Sequence, residues 1–228
     1  MLLTASDLAA LKGALIVSAQ AYPGEPMRDP RTMAQVAASA VIGGAKAVRV
    51  QGLADISATR SAVQVPVIGL FKDGHEGVFI TPTLHHALAV AAAGAHVVAL
   101  DGTRRPRPDG LTLAETIAGI RAGSGATVMA DCGSLEDAIA AAAAGADLIG
   151  TTLAGYTGER PKTQGPDLEL LEDIVAADLG VPVIAEGRIH TPAQARAALD
   201  AGAHAVVVGT AITHPATLTG WFLDALES

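Results

Sequence analysis

The sequence predicts an α/β protein that folds as one (β/α)8 barrel, the TIM-barrel architecture, with residues 1–228 as a single domain. Length and composition fit this fold, because 228 residues of which 50% are apolar can bury the core of a one-domain barrel. Short apolar runs alternate with alanine-rich helical segments along the whole chain. A short motif also recurs at regular intervals, and it marks alternate strands.

The recurring motif predicts four of the strands. Glycine, alanine, any residue and then an apolar run occur as GAKAVRV from Gly44, GAHVVAL from Gly94, GADLIGT from Gly145 and GAHAVVV from Gly202. The spacing of roughly fifty residues corresponds to about two βα units. Each glycine follows an alanine-rich segment, so we expect it to end a helix in a left-handed conformation before the chain enters a buried strand.

Four further apolar runs lie between these motifs and complete a set of eight strands. They are GALIVSAQ from Gly13, VPVIGLFK from Val65, ATVMADC from Ala126 and VPVIAEGR from Val181. Segments of helical character separate the strands, among them 30–42, 82–92, 135–144, 167–177 and 192–201. Alternating strands and helices imply a parallel sheet, and eight units can close into a barrel. The alternative is an open, doubly wound sheet, but no GxGxxG fingerprint follows the first strand.

Composition and charge narrow the classes of partner. The formal net charge of −8 and the scarcity of aromatic residues argue against binding to nucleic acid or to an anionic membrane. The lone cysteine, Cys132, cannot form an internal disulfide, which fits a reducing, cytoplasmic compartment. The sequence shows no signal peptide, no stretch long enough to span a membrane and no zinc-site spacing of cysteine and histidine.

Polar side chains stand at the carboxyl ends of the predicted strands, where this fold collects its active site. They are Gln20, Arg49 with Gln51, Lys72 with Asp73, Asp101, Asp131, Thr151 with Thr152, Glu186 with Arg188, and Thr210. Lys72 and Glu186 end strands three and seven, which lie opposite each other in a closed ring of eight. A substrate between them would meet a proton donor or acceptor on either face, as epimerisation through a planar intermediate requires.

An anion site is predicted beside the last two strands. The runs EGRIHTP and VGTAITHP place the N–H groups of Gly187, Gly209 and Thr210 where barrels of this kind commonly hold phosphate. Gly209 has an alternative explanation, because a tight turn alone can also require glycine.

Several segments in the same order resemble the family of N-acetylmannosamine-6-phosphate 2-epimerases of bacterial sialic acid and amino-sugar breakdown. They are LIVSAQAYPGEP from Leu15, FITPTL from Phe79, ALDGTRRPRPDG from Ala99, MADCGSLEDA from Met129, IGTTLAGYTG from Ile149, VIAEGRIHTP from Val183 and VVVGTAITHP from Val206. The resemblance implies an N-acylglucosamine-6-phosphate 2-epimerase. Such an enzyme interconverts N-acetylmannosamine 6-phosphate and N-acetylglucosamine 6-phosphate by deprotonation and reprotonation at carbon 2.

The resemblance also implies roles for individual residues. Lys72 is similar to the family's catalytic acid/base and Glu186 to its carboxylate partner. The substrate-binding candidates are Gln20, Arg49, Asp131, Arg188 and, from the strand-end set, Thr152; Gly187, Gly209 and Thr210 remain the phosphate candidates. The resemblance further implies that the chain uses neither a metal ion nor an organic cofactor and that it forms a homodimer. Two departures are Ala19, where the family usually has cysteine, and His214, where it often has arginine.

Two rival functions remain open. One is another metal-free phosphosugar isomerase or lyase on the same barrel, and the other is a non-catalytic barrel that only binds a sugar phosphate. The combination of lysine, glutamate and arginine at one mouth favours metal-free proton transfer. Lys72 can accept a proton only when neutral, so we expect burial or the nearby Arg49 to lower its pKa, against the opposing effect of Glu186.

Three other features carry weaker expectations. Asp101 fits an ordinary turn as well as a functional role. The basic cluster of Arg104, Arg105 and Arg107 could guide an anionic substrate, but we expect it to lie in a solvated loop. The last helix has Leu218, Trp221, Phe222 and Leu226 at helical spacing. Such a face suits either capping of the barrel's own core or contact with a partner. We expect core packing, and the likeness to the family implies a homodimer built on other surfaces.

Overall fold

Eight parallel strands close into a barrel in the computed structural model of the chain, which describes residues 3–227. Each strand pairs with its sequence neighbours, and the last strand pairs with the first. The predicted fold class is therefore confirmed. The predicted domain bounds, 1–228, include three terminal residues that lie outside the described part of the chain.

All eight predicted apolar runs contain a strand. The strands are β1 Ala14–Ala19, β2 Ala47–Gln51, β3 Val67–Leu70, β4 Val97–Asp101, β5 Thr127–Asp131, β6 Leu148–Gly150, β7 Val183–Glu186 and β8 Ala205–Val208. The helices are α1 Ala5–Ala9, α2 Pro30–Ile42, α3 Leu53–Ala62, α4 Leu84–Ala92, α5 Leu113–Ser124, α6 Leu135–Ala143, α7 Leu168–Ala176, α8 Pro192–Asp200, α9 Thr210–Thr213 and α10 Pro215–Glu227.

Local sequence explains where the helices begin and end. Asp29 caps α2 by accepting hydrogen bonds from the backbone N–H groups of Arg31 and Thr32, and Pro30 occupies the first turn. Thr112 and Glu115 form a reciprocal capping box at the start of α5. The four motif glycines have φ angles between 96° and 107°, so the predicted positive φ after the helices is confirmed.

Side-chain alternation along the strands separates two apolar layers. One set, including Ile16, Ile68, Met129 and Ile184, fills the interior of the barrel, while another packs between the strands and the helices. Residues two positions beyond these interior side chains point into the same space but at the mouth. The alternation therefore places Asp131 and Glu186 together above an apolar floor, and Lys72 follows the end of β3 at the same mouth.

The helical layer is open beside β1. Leu15, an outward-facing residue of that strand, is 38% exposed. Together with Val17, Val36, Ala40 and Ile212 it lines a groove of about 560 Å³ between β1 and α2, which we call the β1–α2 groove. A helix covers such strand residues in a complete barrel, so this exposure marks a surface without its usual cover.

The prediction that the last helix packs on its own core is wrong. None of the residues of α10 is buried, and its apolar face leaves Phe222 74% and Leu226 82% exposed. Trp221 lies against the ring of His190, with the ring centroids 4.8 Å apart. The apolar residues stand at helical spacing along α10, but its own barrel does not cover the face that they form. Within residues 3–227, no helix is both long and apolar enough to cross a membrane.

Close packing on the outer face of β3 gives a test of the fold. A Cβ atom added at Gly69 would lie 2.7 Å from the Cβ of Ala95 and 2.9 Å from the Cδ1 of Ile56. We expect Gly69→Ala to lower the free energy of unfolding by about 1–3 kcal/mol through overpacking. Thermal or urea denaturation measures this loss.

The double variant Gly69→Ala with Ala95→Gly is the matched control, because it removes the nearest clashing atom. We expect it to recover part of the stability lost in the single variant. Additive losses in the two single variants would contradict this account of the packing.

Candidate active site

A buried guanidinium forms the centre of the barrel mouth. Arg49 projects from β2 and is 1% exposed. Its Nη1 and Nη2 atoms donate to the two carboxylate oxygens of Asp131 at 3.0 and 2.6 Å, and Nη1 lies 2.9 Å from Oε2 of Glu186. Burial alone would lower the pKa of Arg49, but the two carboxyl groups raise it, so the guanidinium stays charged. Three strands are thereby joined at one point.

Glu186 combines burial with several partners. Burial raises its pKa to about 7; Asp131 adds to the rise, and Arg49 and a hydrogen bond from Thr152 oppose it. At neutral pH the carboxyl group is therefore divided between its neutral and ionised forms. The hydroxyl group of Thr151 fixes the backbone of Glu186, because it accepts from the glutamate N–H at 3.0 Å and donates to its carbonyl at 2.9 Å.

Thr152 lies between the two carboxyl groups. Its Oγ1 is 2.8 Å from Oδ1 of Asp131 and 3.1 Å from Oε2 of Glu186. A hydroxyl group has one hydrogen, so it can donate to only one of these oxygens at a time. The hydroxyl group therefore couples the two carboxyl groups, because a hydrogen bond donated to one is withheld from the other.

Lys72 enters the mouth just beyond the end of β3. Its Nζ donates to Oε1 of Gln20 at 3.1 Å and lies 5.5 Å from the centroid of the Tyr22 ring. Gln20 is in turn held by a 2.8 Å hydrogen bond to the hydroxyl group of Ser18. The sequence analysis did not single out Ser18 or Tyr22. Ser18 stands two residues before Gln20, so the two side chains point to the same face, and this spacing was the signal available in the sequence.

The structure decides between the opposing influences on the pKa of Lys72, which the sequence left open, in favour of a lowered pKa. Burial lowers it most, the positive charge of Arg49 lowers it further, and Glu186 and Asp131 oppose both effects. Lys72 and Glu186 approach the mouth from opposite strands, and no direct ion pair joins them in the part of the chain that the structure describes. A small molecule between them would contact a basic group on one side and an acidic group on the other.

The predicted phosphate residues lie at the ends of β7 and β8. Gly187 has a φ of 112°, and Gly209, with a φ of −110°, precedes α9, whose first residue is Thr210. A Cβ atom at Gly209 would lie 3.2 Å from the Cβ of Ser18. Glycine is therefore needed at 209 for close approach to β1 and not for a left-handed turn.

Arg188 and His214 contact protein groups beside this region. The guanidinium of Arg188 donates to the carbonyls of Gly165 and Ala154 and to the hydroxyl group of Thr163, at 3.1, 2.8 and 3.0 Å. It thereby closes the loop between β6 and α7. Nε2 of His214 lies 2.5 Å from Oε1 of Glu25, which joins the end of α9 to the loop after β1.

Asp101 and the basic cluster after it form a structural network. The Asp101 carboxylate is fully buried and accepts hydrogen bonds from Thr103 and Arg105. Arg104 pairs with Asp137 in the first turn of α6 and with Glu159 in the loop after β6, and Arg107 is only 6% exposed. The predicted solvated loop is therefore wrong for Arg107, because proline-flanked arginine spacing does not reveal which carbonyl groups a guanidinium reaches.

A family model and several known proteins that are similar to this chain carry names of the same activity. The model of a family described as "Putative N-acetylmannosamine-6-phosphate epimerase" matches residues 33–228. A protein of Cutibacterium acnes named "Putative N-acetylmannosamine-6-phosphate 2-epimerase" is 66% identical over 221 residues, 96% of each chain. A protein of the same name from Corynebacterium glutamicum is 48% identical over 222 residues, 96% of this chain and 95% of the other.

A solved structure shares the fold closely. It is described as the N-acetylmannosamine-6-phosphate 2-epimerase from Clostridium perfringens and has a TM-score of 0.91 at 39% sequence identity. The likeness covers 96% of this chain and 95% of that one.

The contact between Thr152 and Glu186 predicts a change in titration. Thr152 donates to the ionised carboxylate and stabilises it, so Thr152→Val should raise the pKa of Glu186 above its value of about 7. We expect a rise of about one pH unit, the size of one hydrogen bond to a charged group. Carbon-13 NMR of the glutamate carboxyl groups follows the titration directly. Thr152→Ser keeps the hydroxyl group and should titrate like the wild type; a valine variant that titrates at or below that pH would contradict the assignment.

Proposed function

The chain belongs to the N-acetylmannosamine-6-phosphate epimerase family, and from that premise we propose that it interconverts N-acetylmannosamine 6-phosphate and N-acetylglucosamine 6-phosphate. The two sugars differ only in configuration at carbon 2. One observation carries the proposal: a lysine of lowered pKa and a glutamic acid with a pKa of about 7 enter one barrel mouth from opposite strands. Amine and carboxyl groups with pKa values shifted towards neutrality are suited to proton transfer.

The reaction needs the open-chain form of the sugar. The hydrogen at carbon 2 becomes acidic when carbon 1 is an aldehyde, because the resulting carbanion is delocalised onto oxygen as an enolate. Reprotonation on the opposite face gives the epimer. The protein must therefore supply a base for carbon, an acid and base for the sugar oxygens, and positive charge near the enolate.

Lys72 is the base for carbon. A neutral amine is more basic than a carboxylate, which suits it to a weak carbon acid, and the lowered pKa makes the neutral form accessible. After accepting the proton, the ammonium group retains the carbonyl of Gln20 as a hydrogen-bond acceptor 3.1 Å away. The planar enolate then turns about its C2–C3 bond, so that its opposite face meets the same ammonium group, which returns a proton to carbon 2.

Glu186 carries protons to and from the sugar oxygens during ring opening and enolate formation. Its pKa of about 7 lets it act as acid or base at neutral pH. Two of the Arg49 nitrogens are already engaged by carboxyl groups, so Arg49 acts on the enolate through its charge. Such electrostatic stabilisation contributes roughly 3–4 kcal/mol per group in other enzymes. Asp131 and Thr152 keep the guanidinium and Glu186 in place.

The phosphate group lies beside the ends of β7 and β8. Gly187, Gly209 and Thr210 offer backbone N–H groups there, and Arg188 contributes positive charge while its side chain shapes the neighbouring loop. With a formal net charge of −8, the protein cannot attract the phosphate by its overall charge. Local donors must therefore hold it.

The active protein is a homodimer in which α10 of one copy covers the β1–α2 groove of the other. The exposed apolar face of α10 and the uncovered Leu15 support this arrangement, because contiguous exposed apolar surface of this kind is typical of interfaces. Residues 1–228 of each copy form a single domain. The enzyme acts in the cytoplasm, because its charged, phosphorylated substrate does not cross a membrane unaided.

Heavy water tests the chemistry. Incubation of the wild type with N-acetylmannosamine 6-phosphate in D₂O should give N-acetylglucosamine 6-phosphate that carries deuterium at carbon 2. Proton NMR follows the formation of this product and the loss of the signal from carbon 2. We expect Lys72→Met to lower the rates of epimerisation and of deuterium incorporation at least about 100-fold, the usual contribution of a general base. Lys46→Met is the matched control, because Lys46 is exposed at the opposite end of the barrel.

Two outcomes would overturn parts of this proposal. Substrate binding without deuterium incorporation by the wild type would indicate a non-catalytic sugar-phosphate-binding protein. Near-normal turnover by folded Lys72→Met would remove Lys72 from the mechanism.

Light scattering coupled to gel filtration tests the dimer. We expect the wild type to have about twice the chain mass of 22.8 kDa. Phe222→Asp and Leu226→Asp should each have the mass of a monomer, because they place a charge on the apolar face of α10. Ile139→Asp changes an exposed residue on α6, away from both surfaces, and should remain dimeric. A monomeric wild type, as expected if α10 folds back onto its own groove, would refute the proposed assembly.

A further inference from the structure

Two arginines of the loop between β4 and α5 have opposite surroundings. Arg104 points outward, where it pairs with Asp137 and Glu159. Arg107 points inward, and its Nη1 and Nη2 donate to the carbonyls of Asp101 and Thr81, both at 2.8 Å. The motif that contains both residues was singled out in the sequence, and the proposed chemistry makes no use of it.

The inward arginine is placed at an energetic cost. Arg107 is 6% exposed, its guanidinium contacts two neutral carbonyl groups, and its Nε has no hydrogen-bond partner in the described part of the chain. Burial lowers its pKa, and Asp101 and Asp109 oppose this only through space. Burying a charge in this way costs free energy, which other contacts of the fold must offset.

One of the two carbonyls belongs to the segment that carries the lysine. Residues 71–81 form a hairpin, here called the Lys72 hairpin, in which Lys72 bridges to Ile80 in antiparallel fashion. The backbone N–H of Asp73 donates to the carbonyl of Phe79 at 3.0 Å, and that of Thr81 donates to Phe71 at 2.6 Å. Lys72 lies beyond the end of β3, so this hairpin, and not the barrel ladder, sets its direction.

Thr81 is the base of the hairpin and is itself constrained. It has a φ of 45°, which a β-branched residue adopts only when its surroundings impose it. Its hydroxyl group donates to the carbonyl of Ala99 at 2.6 Å and accepts from the N–H of Phe71 at 3.1 Å. Arg107 completes this attachment by joining the Thr81 carbonyl to the end of β4.

We propose that Arg107 is a positioning residue: by joining Thr81 to Asp101 it fixes the Lys72 hairpin and so directs the amine of Lys72 at the bound sugar. The inference rests on the proposed role of Lys72 as the base. It assigns to Arg107 no contact with the substrate. A small displacement of a base from its reacting hydrogen lowers the rate steeply while leaving the binding groups in place.

Steady-state kinetics of Arg107→Lys and Arg107→Gln test the inference, with Arg104→Gln as the matched control from the same loop. We expect both Arg107 variants to lose on the order of 10- to 100-fold in kcat with little change in KM. The acidic limb of the kcat profile should move to higher pH, because a loosened hairpin exposes the amine and lets its pKa rise. Arg107→Lys should retain more activity than Arg107→Gln, and Arg104→Gln should match the wild type.

A double-mutant cycle tests whether Arg107 acts through the hairpin. Thr81→Val removes the hydroxyl contacts at the same attachment, so its effect on kcat should be smaller in the Arg107→Lys background than in the wild type. Melting temperatures establish the folded fraction of each variant.

The outcomes separate this inference from the proposed function. Absence of epimerisation by the wild type would refute the proposed function itself. With an active wild type, unchanged kcat in folded Arg107 variants would overturn the inference. The inference would also be overturned if kcat fell only in proportion to the folded fraction of each variant. In that case the pH profile would stay unchanged, and the effects of Thr81→Val and Arg107→Lys on kcat would be additive.

Discussion

The buried guanidinium of Arg49 determines the electrostatics of the whole barrel mouth. It draws Asp131 and Glu186 together, and its charge lies close enough to Lys72 to lower the pKa of that amine. Lys72 and Glu186 balance each other in charge. An ammonium with a carboxylate and an amine with a carboxylic acid have the same net charge, which is zero. A proton can therefore move between Lys72 and Glu186 without leaving an uncompensated charge in a buried site.

The barrel turns this balance into a defined arrangement. Arg49, Asp131 and Glu186 point inward through side-chain alternation above an apolar interior, whereas Lys72 is directed by the hairpin that follows β3. Tight packing beneath the mouth leaves little freedom for the strands to shift. The polar groups consequently inherit positions set by apolar side chains that take no part in the chemistry.

The loops complete the site through contacts with backbone carbonyls. Arg107 attaches the Lys72 hairpin to β4, and Arg188 closes the loop between β6 and α7. In both cases a cation that the sequence suggests for an anionic ligand is used largely to hold a loop. The helix α10 shows the complementary situation, since its apolar face is clear in the sequence but its own barrel does not cover it.

Sequence alone was sufficient for the closed barrel, for the order of its strands, for the family, and for the gathering of Lys72, Arg49, Asp131 and Glu186 at one end. These features follow from local periodicity and from a fold that brings all strand ends to one face. The tertiary structure decided the direction of the Lys72 pKa shift, the position of Thr152 between two carboxyl groups, the burial of Arg107 and the exposure of α10. Each of these depends on distances between groups far apart in the chain, and the energies of burial and hydrogen bonding change steeply over a few ångströms that no local pattern encodes.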